Sequence, residues 1–231
     1  MFFSYEVLYL TEIYLVRHCE ALGNVSHIFQ GTTDLDITDS GAKQLSLLTK
    51  RFNNIHIDKV YSSPLIRTKK TAEAIIANKQ LNINLCDGLI EIHGGIVEGK
   101  PVIETFGKMP DLLDAWDNHP QDFAPENGEK MVDAYARIWN TVLSLAKENC
   151  GKTIALATHG GVLRCLLCRL MFNDINKLKD TPFSDNTAVT KLVFDDSFNP
   201  EIIFYNDITH LGNTPINSIS RVSTFLKEAR K

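Results

Sequence analysis

The residues most suited to chemistry stand at the ends of apolar runs. Arg17 and His18 follow the apolar residues 13–16, and His159 follows a second such run. Arg67 comes shortly after a third. Arginine suits phosphate because its guanidinium group is planar, permanently charged and able to make two parallel hydrogen bonds. A neutral imidazole can attack phosphorus and form a covalent intermediate. Together these residue types indicate phosphoryl-group chemistry.

A proton donor and an anion-binding turn complete this set. Glu91 is the candidate donor, because a carboxyl group kept protonated can protonate a departing alkoxide. Gly160 and Gly161 follow His159 and allow backbone amides to approach an anion at the start of a helix. A single histidine after a strand is more often structural than catalytic, so the prediction depends on the combination.

The surrounding elements are expected to bring these residues together. The predicted strands cover residues 13–16, 57–61, 153–157, 189–194 and 202–205, the last two being hairpin-like or edge strands. The predicted helices cover residues 39–52 with Thr38 as cap, 65–79, 130–149, a stretch after Gly161, and the tail from Ser218. This alternation predicts an α/β three-layer sandwich, in which a mostly parallel central sheet is flanked by helices. Ligands of such sheets gather at the carboxyl ends of strands.

One domain is expected to cover residues 1–231, with an N-terminal extension over 1–12 and a small cap insertion at about 99–130, which is rich in proline and glycine.

The composition excludes several classes of function and location. The net charge of −4 gives no basic field for nucleic acid, and glutamates interrupt the apolar N-terminus, so neither a signal peptide nor a membrane span is expected. Five scattered cysteines favour a reducing cytoplasm. Cys165 and Cys168 lie in an apolar helical run and are expected to be core.

The segment Val16-Arg17-His18-Cys19-Glu20 resembles the R-H-G-E motif of the histidine phosphatase superfamily, also called phosphoglycerate mutase-like. The resemblance covers about residues 13–211. Its further segments are Asn24, Gln30-Gly31, 35–41, Ser62-Ser63-Pro64 with Arg67, 91–99, 158–161, Asn186 and 205–211 ending in His210-Leu211. Each motif is weak by itself, but their order along the chain is specific.

The resemblance implies a role for each matching residue. His18 is the phosphorylated nucleophile, and Glu91 is the proton donor and later the base for water. Arg17, Arg67 and His159 form the phosphate pocket. Further substrate-binding positions are Asn24, Gln30, Gly31 and Gly160. The implied reaction needs no metal and no cofactor, its partner is a small phosphorylated substrate, and a homodimer is possible.

Two positions depart from the family pattern. Cys19 stands where the motif usually has glycine. It is expected to be a tolerated small residue, with a thiol that is accessible from the pocket and acidified by nearby positive charge. Val97 stands where tryptophan is common, which affects the shape of the substrate wall rather than the chemistry. Trp116 is expected either to contact substrate or to pack within the cap.

Within the family, hydrolysis of a monophosphate is favoured. Residues 99–130 contain no arginine, only three lysines and many acids, so a second phosphate finds little compensation there. The pattern is most similar to the small bacterial broad-specificity and α-ribazole-type phosphatases. The alternatives are a cofactor-dependent phosphoglycerate mutase and a catalytically weak phosphate-binding member. A metal-dependent hydrolase would need a cluster of Asp and His ligands that the sequence does not offer.

Overall fold

A computed structural model describes residues 10–214 of the chain. The strands of this region are β1 (Thr11–Arg17), β2 (Lys59–Ser62), β3 (Ile83–Leu85), β4 (Thr153–Thr158), β5 (Val189–Phe194) and β6 (Pro200–Asp207). The α-helices are α1 (Leu22–Val25), α2 (Asp39–Phe52), α3 (Ile66–Ile76), α4 (Val102–Gly107), α5 (Pro110–Asn118), α6 (Met131–Glu148) and α7 (Gly160–Phe172). Within residues 10–214, no helix is both long and apolar enough to cross a lipid bilayer.

The strands form one mixed sheet in the order β3-β2-β4-β1-β5-β6. The pairs β3–β2, β2–β4 and β4–β1 are parallel, whereas β1–β5 and β5–β6 are antiparallel. The predicted α/β sandwich with a mostly parallel sheet is therefore confirmed. The two C-terminal strands form the expected antiparallel pair at one edge.

Alternate side chains of the central strand β1 point to opposite faces of the sheet and pack into two separate cores. Ile13 and Leu15 pack into the core shared with α6 and α7. Tyr14 and Val16 pack into the second core, with α2 and α3. Because both faces are covered, the central strands are buried on each side, and their sequences are almost continuously apolar.

Several boundaries differ from the prediction. β1 starts at Thr11, so two residues assigned to the N-terminal extension belong to the sheet. The rest of that extension and the predicted helical tail from Ser218 lie outside the described residues. α2 begins as predicted, because the Thr38 hydroxyl accepts a hydrogen bond from the Gly41 amide at 2.9 Å. β3 was not predicted, since it is a three-residue edge strand in an asparagine-rich stretch.

The proline-rich stretch 99–130 contains two helices, α4 and α5, and is more regular than its composition indicated. Pro110 is the first residue of α5, where the missing proline N–H leaves no helical hydrogen bond unmade. Asp111 and Asp114 are exposed as expected, but Asp117 is buried. Six residues turn through about 600°, which is about 120° short of two complete helical turns, so Asp117 leaves the face that Asp111 occupies.

Candidate active site

The parallel pairing of β1 with β4 brings the two candidate histidines together. Arg17 lies opposite Thr158 in the sheet, so both strands end at the same level. The His18 amide continues the ladder by donating to the Thr158 carbonyl at 2.9 Å. The imidazoles of His18 and His159 consequently lie side by side, with ring centroids 5.3 Å apart.

The hydrogen bonding of His18 defines which nitrogen can react. Its Nδ1 lies 2.7 Å from the Cys19 carbonyl oxygen. A carbonyl oxygen only accepts hydrogen bonds, so Nδ1 carries the hydrogen and Nε2 keeps its lone pair. Burial lowers the pKa of His18 well below its ordinary value, and the positive charges of Arg67 and Arg17 lower it further. The ring is therefore neutral at physiological pH and able to act as a nucleophile.

Arg17 reaches the pocket from the end of β1. Its side chain is fully buried, and Nη1 donates to the Ser184 carbonyl. Burial is the main reason that its pKa falls to about 10, so the group stays charged at neutral pH. Its Nε hydrogen has no partner within the described structure. A buried donor without a partner is costly, so an oxygen-bearing ligand at this point would be stabilised.

Arg67 enters from the first turn of α3. Its guanidinium group donates to the Thr33 and Gly31 carbonyls at 2.9 and 2.8 Å, and to the Gln30 carbonyl at 3.2 Å. Its Nε, like that of Arg17, is buried without a partner in the described structure. Gly31 must be glycine, because a Cβ there would lie 2.2 Å from a backbone oxygen of the facing segment. This closely packed loop supplies the carbonyls that hold the Arg67 guanidinium group.

Glu91 lies on the segment that follows β3. Its Oε2 accepts from the Gly161 amide at 2.9 Å, and its Oε1 accepts from the Ile92 amide at 3.0 Å. Burial raises the pKa of Glu91, although these two hydrogen bonds and the nearby arginines act in the opposite direction. A Cβ on Gly161 would lie 2.6 Å from Oε1, so this glycine admits the carboxyl group to the start of α7.

His159 is held by a serine to which the sequence assigned no role of its own. The Ser63 hydroxyl lies 2.8 Å from His159 Nε2, and it also accepts weakly from the Leu65 amide. If the hydroxyl donates to Nε2, then Nδ1 carries the hydrogen, and Nδ1 is buried without a partner in the described structure. Burial lowers the pKa of His159 well below its ordinary value. This neutral ring lies beside that of His18, and its Nδ1 is left open to a hydrogen bond with a ligand.

The remaining predicted site residues surround this cluster in different ways. The side-chain oxygen Oδ1 of Asn24 accepts from the Ala21 amide at 2.9 Å and so fixes the turn after His18. Oε1 of Gln30 is buried without a partner in the described region. Gly160 borders Arg17, because a Cβ there would lie 3.3 Å from Arg17 Nε.

The prediction that the Cys19 thiol is accessible and acidified is wrong. The residue is completely buried, and burial raises the pKa of its thiol to about 12. Its side chain packs towards the start of α2, where a Cβ on Gly41 would lie 3.4 Å from Sγ. Cys19 is not among the described residues with positive φ, so its backbone needs no glycine. Cys165 and Cys168 are buried as predicted.

Aromatic rings form the wall next to the pocket. Trp116 contacts Phe29, Phe123 and Phe183, with centroid distances of 5.3, 4.8 and 6.4 Å. Phe29, Trp116 and Phe183 remain half-buried and are here called the aromatic arc. Phe183 adjoins the Arg17 side chain, because a Cβ on Gly160 would lie 3.5 Å from the Phe183 ring and 3.3 Å from Arg17 Nε. Trp116 thus packs within the cap and also forms part of this wall, whereas Val97 is fully buried in the core.

Among residues 10–214, no group of three His, Cys, Asp or Glu side chains is close enough to hold a metal ion. The pocket is instead built from two arginines, two neutral imidazoles and one carboxyl group. Two guanidinium Nε atoms and one imidazole Nδ1 are buried there without a partner in the described structure. The guanidinium donors match the oxygen atoms of a phosphoryl group, which carry its negative charge.

The order of these motifs is that of a known family. A model of the histidine phosphatase superfamily (branch 1) matches residues 13–208. The chain belongs to this superfamily. Phosphoserine phosphatase 1 of Hydrogenobacter thermophilus is 30% identical over 203 residues, covering 88% of this chain and 95% of that protein.

Solved structures agree with the family assignment. YhfR of Bacillus stearothermophilus matches with a TM-score of 0.83 and 29% identity, over 87% of this chain and 99% of that one. A phosphoserine phosphatase from Entamoeba histolytica, in complex with phosphoserine, matches with a TM-score of 0.76 and 25% identity, over 87% and 99%. This member of the histidine phosphatase superfamily is a phosphatase that hydrolyses phosphoric monoesters, as the sequence predicted.

Proposed function

We propose that the protein hydrolyses small phosphate monoesters through a phosphohistidine formed at Nε2 of His18. The single observation that supports this most is the hydrogen bond from Nδ1 to the Cys19 carbonyl, which leaves the Nε2 lone pair available. The lowered pKa of His18 keeps that lone pair unprotonated. The nucleophile therefore needs no separate base.

The two arginines and His159 bind the transferring group in this proposal. Arg17 and Arg67 direct their unpartnered Nε hydrogens at phosphoryl oxygens, and His159 donates from Nδ1. Donors fixed before the reaction stabilise developing charge without reorganisation. Asn24, Gln30, Gly31 and Gly160 shape the pocket and its entrance for the substrate.

Glu91 moves the protons. In the first step Nε2 of His18 attacks phosphorus, the ester P–O bond breaks, and the Glu91 carboxyl proton passes to the departing oxygen. In the second step water attacks phosphorus, the Glu91 carboxylate takes its proton, and the N–P bond breaks with its electrons returning to Nε2. The raised pKa of Glu91 suits the first step, because it keeps the carboxyl group protonated nearer to neutral pH.

The proposed substrate is a monophosphate whose leaving group packs on the aromatic arc. The cap offers few cations, and one of its lysines, Lys108, is paired with Glu104 at 2.6 Å. The alternative, a phosphoglycerate mutase, must retain a bisphosphate intermediate, and the acidic cap opposes this. Phosphoserine, the ligand of the Entamoeba relative, is a reasonable first candidate.

The test is a panel of phosphate monoesters assayed for phosphate release in the presence of a chelator. We expect turnover with the chelator present and an acid-labile phosphoryl group on the protein after rapid quenching. Conversion of 3-phosphoglycerate to 2-phosphoglycerate, with 2,3-bisphosphoglycerate supplied, should be slower than hydrolysis. Isomerisation that is much faster than any hydrolysis would overturn the hydrolase assignment while leaving the phosphohistidine step intact.

We also propose that the protein works in the cytoplasm. All five cysteines are unpaired, which is the ordinary state of thiols in a reducing compartment. A homodimer stays a prediction that sedimentation or light scattering can decide.

A further inference from the structure

The backbone of Arg17 and His18 is held by a segment that follows α7 in the chain. The Asn186 side chain donates to the His18 carbonyl at 2.9 Å. The Thr187 amide is shared between the carbonyls of Arg17, at 3.1 Å, and His18, at 3.3 Å. The Arg17 amide in turn donates to the Ala188 carbonyl at 3.2 Å. The position of the nucleophile therefore depends on this segment.

Thr187 adopts a conformation that its residue type disfavours. Its φ is +58°, in the left-handed region, where a β-branched side chain is a genuine outlier. Such a residue is strained and persists only where its surroundings determine its conformation. Its hydroxyl donates to the Asn186 carbonyl at 2.7 Å, and its Oγ1 lies 3.2 Å from His210 Nε2. His210 is therefore one of the groups that hold Thr187 in place.

The contacts of His210 define its tautomer. Nδ1 lies 3.2 Å from Arg51 Nη1, and a guanidinium group only donates, so Nδ1 accepts. Nε2 of the neutral ring then carries the hydrogen and donates to Thr187. Arg51 is itself fixed by Asp207, with 2.6 Å between Nη2 and Oδ2. Burial and the charge of Arg51 lower the pKa of His210 to about 4, so this tautomer is kept at neutral pH.

We propose that His210 is a positioning residue for His18. It lies behind the pocket and acts through Thr187, whose N–H binds the carbonyls of Arg17 and His18, one in each peptide that flanks the His18 Cα. The path runs from Asp207 through Arg51 and His210 to Thr187. This inference rests on the proposed phosphohistidine chemistry, since it concerns the rate at which His18 attacks.

The test compares His210→Ala with His210→Gln in single-turnover phosphorylation of His18. A glutamine amide has both an acceptor for Arg51 and a donor for Thr187, whereas alanine has neither. We expect His210→Ala to slow phosphorylation by about 10- to 100-fold, the scale on which small misplacements act. KM and inhibition by inorganic phosphate should change by less than about threefold, because the phosphate donors remain. His210→Gln should recover most of the rate.

A second pair of variants keeps the proposal falsifiable if His210→Ala does not fold. Thr187→Val removes the hydroxyl but retains the β-branched shape, and Thr187→Ser retains the hydroxyl. The valine variant should be slow and the serine variant faster. His56→Ala is the control, because His56 has a side chain that is 80% exposed and paired only locally with Asp58.

Each outcome decides the proposal. A wild-type rate of phosphorylation in His210→Ala overturns it, and so do equal rates in the two Thr187 variants. Equal loss in His210→Ala and His210→Gln, in step with a lowered melting temperature, also overturns it. Absence of phosphohistidine in the unmodified protein would instead refute the proposed function, so the two failures are distinguishable.

Discussion

The cluster proposed to bind phosphate consists of charged and polar side chains near strand ends, whereas the adjoining aromatic arc combines Trp116 of the cap helix α5 with Phe29 and Phe183, which lie outside helices and strands. Arg17, His18, Arg67 and His159 are all at most 3% exposed, and directional hydrogen bonds fix half of their side-chain nitrogens. The aromatic arc is half-buried and held by ring contacts, which tolerate many orientations. We therefore expect the buried cluster to carry out the chemistry and the aromatic arc to select the leaving group. Changes in the pocket should abolish turnover, whereas changes in the arc should alter which substrate is preferred.

The largest expected effect comes from His18→Ala. Removing the nucleophile should lower kcat by at least about 1,000-fold and eliminate acid-labile phosphate on the protein. Circular dichroism should be unchanged, since the imidazole makes no bond to another element that the fold requires. His56→Ala is the matched control on the surface. Substantial turnover by His18→Ala would break the comparison, because the pocket would then not be the reaction centre.

Glu91→Gln sharpens the account of proton transfer. We expect a loss of about 100-fold for alkyl phosphates, whose leaving groups need a proton, and a smaller loss for p-nitrophenyl phosphate. Glu91 must be protonated to donate to the leaving group, and it loses this proton as pH rises through its raised pKa. The kcat of the unmodified enzyme for alkyl phosphates should therefore fall over that pH range. This alkaline limb should disappear in Glu91→Gln. Equal loss on both substrates would argue against a proton-donor role.

Trp116→Ala probes the cap alone. Its loss should raise KM for bulky apolar monoesters by about tenfold, because burial of the leaving group against the ring is removed. Inhibition by inorganic phosphate should stay within about twofold, since phosphate contacts only the pocket. A parallel loss of phosphate affinity would show that the pocket and the arc are not separable. Trp139→Ala, a half-buried tryptophan on α6, serves as the control for general destabilisation.

The smallest expected effect concerns Cys19. Its buried thiol, with a pKa of about 12, should react with an alkylating reagent far more slowly than the exposed Cys150. Inactivation rates of Cys19→Gly and the unmodified protein should therefore agree within about twofold. Peptide mapping after brief alkylation should find the label on Cys150 first. Faster labelling of Cys19, suppressed by inorganic phosphate, would restore an accessible thiol in the pocket.

The sequence by itself determined where the reactive groups stand relative to the sheet. An apolar run ending in Arg17-His18 and another ending before His159 indicated two buried strands, and parallel strands place their carboxyl ends at one edge. That reasoning needs only local periodicity, which is why the mostly parallel sheet and the clustering of these side chains were predictable. The helix capped by Thr38 was predictable for the same reason, since its cap lies three residues from the amide it binds.

Only the tertiary structure decided what surrounds each group. Cys19 adjoins His18 in the chain, yet packing against α2 buries its thiol and raises its pKa instead of lowering it. Ser63 meets His159 across 96 residues, and Asn186 meets His18 across 168. The contact from His210 to Thr187 could not be predicted from the sequence either. It depends on the left-handed backbone of Thr187 and on Arg51, which binds the other side of the His210 ring. Such contacts are set by how distant elements pack, and local periodicity carries no information about them.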